Sequence, residues 1–236
     1  VDTATQPALR VPRSATRFIL YQRTELSRLG EKSLQRIERL TGPRGRHWAL
    51  QLDATIRGRQ VRRLYAKDIA AEMAALAPHL PSPCASVLDI GCGLATIDAA
   101  LYRHLGPVRL HLVDRNVTER RIAYGFRPDA AFYNDNAAML ELLVANGVAR
   151  SDIAFHDAAS PIDVPSIDLV LSLLSWGFHY PIDTYLDLVA DRLAPHGRVI
   201  VDVRKGTGDI DALRDRFAVV EPIIDDAKRV RVVAYR

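Results

Sequence analysis

The stretch VLDIGCGLA, residues 87–95, runs from an apolar segment through Asp89 into a tight turn at Gly91 and Gly93. Val87, Leu88 and Ile90 read as a buried strand, and the two glycines allow the chain to turn sharply and a ligand to come close to the main chain. In an open parallel sheet such a turn falls past the carboxyl end of the strand, where ligands bind. A dinucleotide fingerprint would carry a third glycine three residues after Gly93. Thr96 stands there instead. Asp89 would also repel a pyrophosphate, so a nicotinamide dehydrogenase is disfavoured. A ligand carrying an ammonium group suits the carboxylate.

From Ala85 onward, β-rich runs alternate with helical patterns. The runs are SVLDI (86–90), VRLHLV (108–113), IAFH (153–156), IDLVLSLL (167–174) and RVIVDV (198–203). Helices are expected near 94–104, 117–124, 136–146 and 181–193. This order predicts βαβ units on a parallel sheet with right-handed crossovers. The tail differs: RFAVVEPII and RVRVVAY are separated only by DDAK, too short for a crossover helix, so an antiparallel hairpin is expected to close the sheet.

The arrangement Asp89-x-Gly91-x-Gly93-x-Ala95, together with Asp114 at the end of the second run, resembles the class I S-adenosylmethionine-dependent methyltransferases. The resemblance covers about 150 residues, from Ala85 to the end. It implies a Rossmann-like α/β fold: a doubly wound, mainly parallel seven-stranded sheet with a C-terminal antiparallel hairpin. It also implies S-adenosylmethionine as cofactor, bound by Asp89, Gly91, Cys92, Gly93, Asp114, Arg115, Asp157, Ala158 and Ser175. Asp114 would accept hydrogen bonds from the ribose hydroxyls. Asp157 would face the adenine amino group, or else cap a helix before AAS. The segment SWGFHYP after the fourth run would form the transfer site. There His179 is the candidate base for a hydroxyl acceptor, or a residue that caps and orients, with Trp176, Phe178 and Tyr180 as walls. His156 is a second candidate base, or a packed strand-end residue. Asp157 with Asp135 and Asn136 has no ligand spacing, and no metal is expected.

The first third of the chain reads as a basic helical extension over residues 1–80, preceding a methyltransferase domain at 81–236. Residues 1–67 hold 15 Lys and Arg against 5 Asp and Glu, while the remainder holds 17 against 23. Helical spacing over 14–40 is interrupted at Gly30, Gly42-Pro43 ends it, and a second helix is expected from about Gly58 to Leu76. As a lid, the extension would bring Tyr21, Arg62 and Tyr65 to the acceptor, along with Arg57, Arg59 and Arg63. Such arginines suit a phosphate or carboxylate, or they solubilise the helix.

Hydrophobic residues make up 48% of the chain, ample for a core. No uninterrupted apolar run of membrane-spanning length exists, and a membrane partner is not expected. The first residues lack a signal-peptide core, and the chain begins at Val1, as a trimmed chain would. Cys84 and Cys92 have no metal spacing and read as reduced thiols of a cytoplasmic protein. The expected function is therefore O-methylation of a hydroxylated small molecule, anionic or sugar-containing. The alternatives are an RNA methyltransferase tracking phosphates with its basic segment and a non-catalytic binding module. Against RNA, the chain shows no appended nucleic-acid module and no paired catalytic cysteines. Oligomeric state has no signature.

Overall fold

A computed structural model describes residues 8–115 and 135–236. The helix expected near 117–124 lies outside the described residues.

The five β-rich runs form strands β1 (Ser86–Ile90), β2 (Arg109–Asp114), β3 (Ile153–Asp157), β4 (Ile167–Ser172) and β5 (Leu193–Arg204). The tail supplies β6 (Val219–Asp225) and β7 (Arg229–Tyr235) as the expected hairpin. Together they make one seven-stranded sheet in the order β3-β2-β1-β4-β5-β7-β6. The first five strands pair in parallel, while β7 runs antiparallel to both β5 and β6. Chain order reverses between β1 and β4, which opens a crevice at their carboxyl ends.

Helices α3 (Thr96–Leu105), α4 (Asn136–Ala145), α5 (Asp183–Arg192) and α6 (Asp209–Arg214) follow the strands, after α1 (Thr16–Gln22) and α2 (Gly30–Leu76). Two apolar clusters cover the sheet. One joins Phe18 and Leu20 of α1, Leu50 and Val61 of α2, and α3 and α4 to Val87, Leu110 and Leu169. The other packs Trp176, Leu186 and Val189 on Leu88, Ile90 and Val201. Strand residues contribute alternately to the two faces, as the two-residue period requires.

The N-terminal helices depart from expectation. Gly30, at φ 64°, begins α2 instead of interrupting a helix. Gly42 breaks α2 at φ 75° and ψ −178°, and the helix resumes at Pro43, fifteen residues before the expected start at Gly58. Proline is well suited to a first helical position because its ring presets φ and its missing N–H has no partner to lose there. Gly58 sits inside the helix, where a Cβ would lie 3.0 Å from Arg62 Nη1 and in ordinary contact with Thr16 Cγ2 of α1 at 3.5 Å.

Candidate active site

A cleft of about 290 Å³ lies at the head of β1, β2 and β4. Its floor is the glycine loop. Gly91 N–H and Cys92 N–H donate to the Val113 carbonyl at 2.8 and 3.2 Å, tying the loop to the end of β2. Gly91 and Gly93 have φ of 80° and 55°, a region open to glycine at little cost. Space opposes a side chain at Gly91 and is tight at Gly93. A Cβ on Gly91 would come within 1.8 Å of Ser175 Oγ, and one on Gly93 within 3.0 Å of the Gln22 amide nitrogen.

Asp114 closes one side. Its Oδ2 accepts from Gly93 N–H at 2.6 Å and its Oδ1 from Arg115 N–H at 2.7 Å. Burial pushes its carboxyl up to about 6, and the two backbone donors pull the other way. Asp89 is 3% exposed and borders the cleft. Burial, and next the negative charge of Asp98, hold its carboxyl well above the ordinary range. Asp98 lies behind it, fully buried in the first turn of α3. Among the described residues no ion pair holds Asp98; its carboxyl meets that of Asp89, a contact that needs a shared proton, and its own backbone N–H. Burial raises Asp98 to about 6. Three acids thus converge on the head of one strand.

The opposite wall is the segment after β4. Ser175 Oγ and Tyr180 Oη lie 3.2 Å apart and both line the cleft, as does His179. The His179 N–H donates to the Ser175 carbonyl at 2.8 Å, fixing the start of this turn. Burial raises Tyr180 far above an ordinary phenol, so its hydroxyl stays protonated as a donor. Burial likewise keeps the Cys92 thiol protonated.

The rim comes from the N-terminal helices. Tyr21, Gln22 and Arg23 reach the cleft from the end of α1, and Tyr65, Ile69 and Glu72 reach it from α2. Tyr65 Oη donates to Thr96 Oγ1 at 3.1 Å, joining α2 to the start of α3. Tyr21 packs against His47, ring centres 4.4 Å apart and planes tilted by 38°.

The cleft thus gathers Asp89, Gly91, Cys92, Gly93, Asp114, Ala158, Ser175, His179, Tyr180, Tyr21 and Tyr65. Several anticipated residues stand elsewhere. Trp176 is fully buried, its Nε1–H donating to the Ile182 carbonyl at 2.5 Å, so it anchors the loop and is no wall. Phe178 lies beneath the Arg204 guanidinium, 4.6 Å from ring centre to Cζ, outside the cleft lining. Asp157 accepts from Ala159 N–H at 2.9 Å in a turn of its own, and its neighbour Ala158 reaches the cleft instead. Arg62 donates to Thr16 Oγ1 at 2.9 Å, and Arg115 meets the site through its backbone. His156 faces His111 across β2 and β3, with ring nitrogens 3.1 Å apart, away from the cleft. Burial and the neighbouring cations lower both imidazoles, His111 to about 4. Asp135 caps α4, accepting from the Ala137 and Ala138 N–H groups.

Gln22, Arg23, Ile69, Glu72 and Asp98 carry no local sequence signal. They reach the site, or its acid cluster, because α1 and α2 fold over it and because Asp98 sits one turn into α3.

No family model matches the chain, and no curated protein matches it. Solved structures do. A methyltransferase from Pyrococcus furiosus is 15% identical, with 76% of this chain and 98% of that one covered at a TM-score of 0.51. The O-methyltransferase segment of StiE, residues 961–1257, is 13% identical over 76% of this chain and 77% of that one, also at 0.51. The chain thus has the class I methyltransferase fold, a seven-stranded α/β sheet with an antiparallel C-terminal hairpin.

Proposed function

We propose that the protein is an S-adenosylmethionine-dependent methyltransferase that acts on a hydroxyl group of a small molecule. The observation that carries this reading is the acid-lined glycine cradle at the head of β1. Gly91 and Gly93 hold positive φ that a side chain would strain, and they line the same cleft as Asp89 and Asp114. The residues therefore suit a cationic nucleoside. When bound, that cofactor supplies an electrophilic methyl group.

The chain's own groups divide the remaining work. Asp114 holds the ribose hydroxyls, and its bond to Gly93 N–H couples that grip to the loop. Asp89 and the backbone of the loop receive the amino-acid tail. Ser175 and Tyr180 shape the wall opposite and exclude water. His179 accepts the acceptor's hydroxyl proton on its imidazole. Arg23, the one Lys or Arg among the described residues lining the cleft, favours an acceptor with an anionic group near the rim. The likeness to an O-methyltransferase agrees with this acceptor class.

RNA has no comparable support. Arg46, Arg57 and Arg62 of the basic segment are held by Glu31 and Glu38, by Asp53, and by Thr16 respectively, so an RNA reading would rest on the exposed cations of α2 alone. A non-catalytic module is separated by turnover. The deciding experiment is titration calorimetry with S-adenosylhomocysteine, followed by methyl transfer to a panel of hydroxylated acceptors. Micromolar binding is expected; no uptake at millimolar supply, or uptake of a dinucleotide instead, overturns the reading.

A further inference from the structure

A row of exposed apolar side chains runs along α2, away from the cleft lining. Leu40, Trp48, Leu52 and Ile56 are 76%, 73%, 61% and 73% exposed. Trp48, Leu52 and Ile56 recur every four residues and so share one side of the helix. Isolated exposed apolar residues need no explanation, but a contiguous row marks an interaction surface.

The charge around the row is of one sign. Lys32, Arg36, Arg39, Arg44, Arg59 and Arg63 are all exposed. The acids of the same stretch each have a cationic partner within the chain. Glu31 and Glu38 hold Arg46, which is itself 1% exposed, and Asp53 takes Arg57 and the Ser27 hydroxyl. Among the described residues, no ion pair holds any of those six cations. What faces outward is therefore an apolar stripe led by a tryptophan and set in a field of positive charge.

We propose that this face of α2 docks the protein on an anionic lipid bilayer. The Trp48, Leu52 and Ile56 side chains enter the boundary between headgroups and acyl chains, and the surrounding Lys and Arg meet lipid phosphates. Tryptophan favours that boundary because its ring is apolar and its N–H is polar. Arginine and lysine stems can lie along the apolar layer while their charged ends stay in water. Basic amphipathic helices bind this way without spanning, and no helix among the described residues is long and apolar enough to cross a membrane. A peripheral membrane partner thus replaces the expectation of none. A second copy of the chain fits less well, because pairing two such faces would bring their cations together. The cleft is close by: His47, next to Trp48, packs against Tyr21 of the rim. The inference does not rest on the proposed reaction.

Flotation of the intact protein with lipid vesicles tests it. Vesicles with about 30% phosphatidylglycerol in phosphatidylcholine should retain the protein at least about tenfold better than pure phosphatidylcholine. Raising salt from about 0.1 M to about 0.5 M should release much of it. The Trp48→Ser/Leu52→Ser double variant should partition about tenfold less or weaker still. Arg44→Gln/Arg59→Gln should lose about fivefold or more and flatten the salt dependence. All four positions are exposed, and circular dichroism checks that the fold persists. The proposal is overturned if anionic vesicles retain no protein, or if the serine variant binds them as well as the parent. It is also overturned if the serine changes instead abolish a dimer seen by sedimentation, or retention on RNA, with vesicle binding unmoved.

Discussion

Two buried acidic centres lie on this sheet, and they are built in opposite ways. On the β5–β7 side, Asp202 is fully buried and fully answered. Arg231 donates to both of its oxygens at 2.7 and 2.9 Å, Arg229 donates at 2.5 Å, and the Leu174 N–H donates at 3.2 Å. Glu72 takes up Arg231 on its other side. At the head of β1, Asp89 and Asp98 face each other, and among the described residues no ion pair holds either. Buried charges in proteins are ordinarily paired. Where an acid stands unpaired beside a cleft, the countercharge can come from a ligand. The first centre holds the fold together, and the second is kept ready at some cost in stability.

The largest effect should fall on the paired centre. Arg231→Met leaves Asp202 buried with part of its compensation gone, and should cost about 3–5 kcal/mol of stability in urea unfolding. A loss near zero would mean that Arg229 alone suffices.

The unpaired centre predicts the opposite sign. Asp98 titrates at about 6 in the fold, against 3.8 ordinarily. A raised carboxyl contributes its full stability below the unfolded value and loses it as pH rises through the folded one. The parent should therefore weaken between about pH 4 and pH 7, by up to about 3 kcal/mol from this group. Asp98→Asn, whose amide can donate to Asp89, should remove much of that fall. It should be the more stable protein at pH 8, and unfolding curves at pH 4 and 8 will check this. Cofactor affinity should run the other way, rising as Asp89 and Asp114 ionise.

Across the cleft, His179→Ala should lower turnover roughly 10²-fold with cofactor affinity unchanged, if the imidazole takes the hydroxyl proton. Parental turnover would leave it a structural role. Asp114→Ala should weaken S-adenosylhomocysteine binding by about 1–3 kcal/mol in calorimetry. The smallest change is expected at the helical cover, where Tyr65→Phe removes one bond to Thr96 and should cost about 1 kcal/mol of stability.

The same contrast separates what was legible in the sequence from what was not. β1 is readable because Val87, Leu88 and Ile90 form an apolar run ended by glycine, and its bounds match the run SVLDI. The loop and Asp114 come into one cleft because a strand, its turn and the next strand fix their relation locally. β5 begins at Leu193, ahead of the expected 198, because the Pro195-His196-Gly197 stretch within it hides the strand. The second helix was placed too late because Gly42-Pro43 reads as the start of a loop, whereas the helix resumes at Pro43 itself. Beyond strand ends, spacing no longer says which way a side chain turns. So Trp176 went to the core, Asp157 to its own turn and Phe178 under Arg204. The Asp202–Arg231–Glu72 chain joins residues from three distant parts of the sequence, and no local pattern signals it.

Trp176 has a consequence for how acceptor preference could change. Its indole, buried among Ile182, Val201 and their neighbours, works as a keel for the turn above it. The Ser172 hydroxyl braces that keel, donating to the Ile90 carbonyl and accepting from the Trp176 N–H. Positions 175 and 180 can then change as tips on a fixed mount, with His179 kept for the proton. Altered selectivity need not disturb the scaffold beneath, provided the keel itself is left in place.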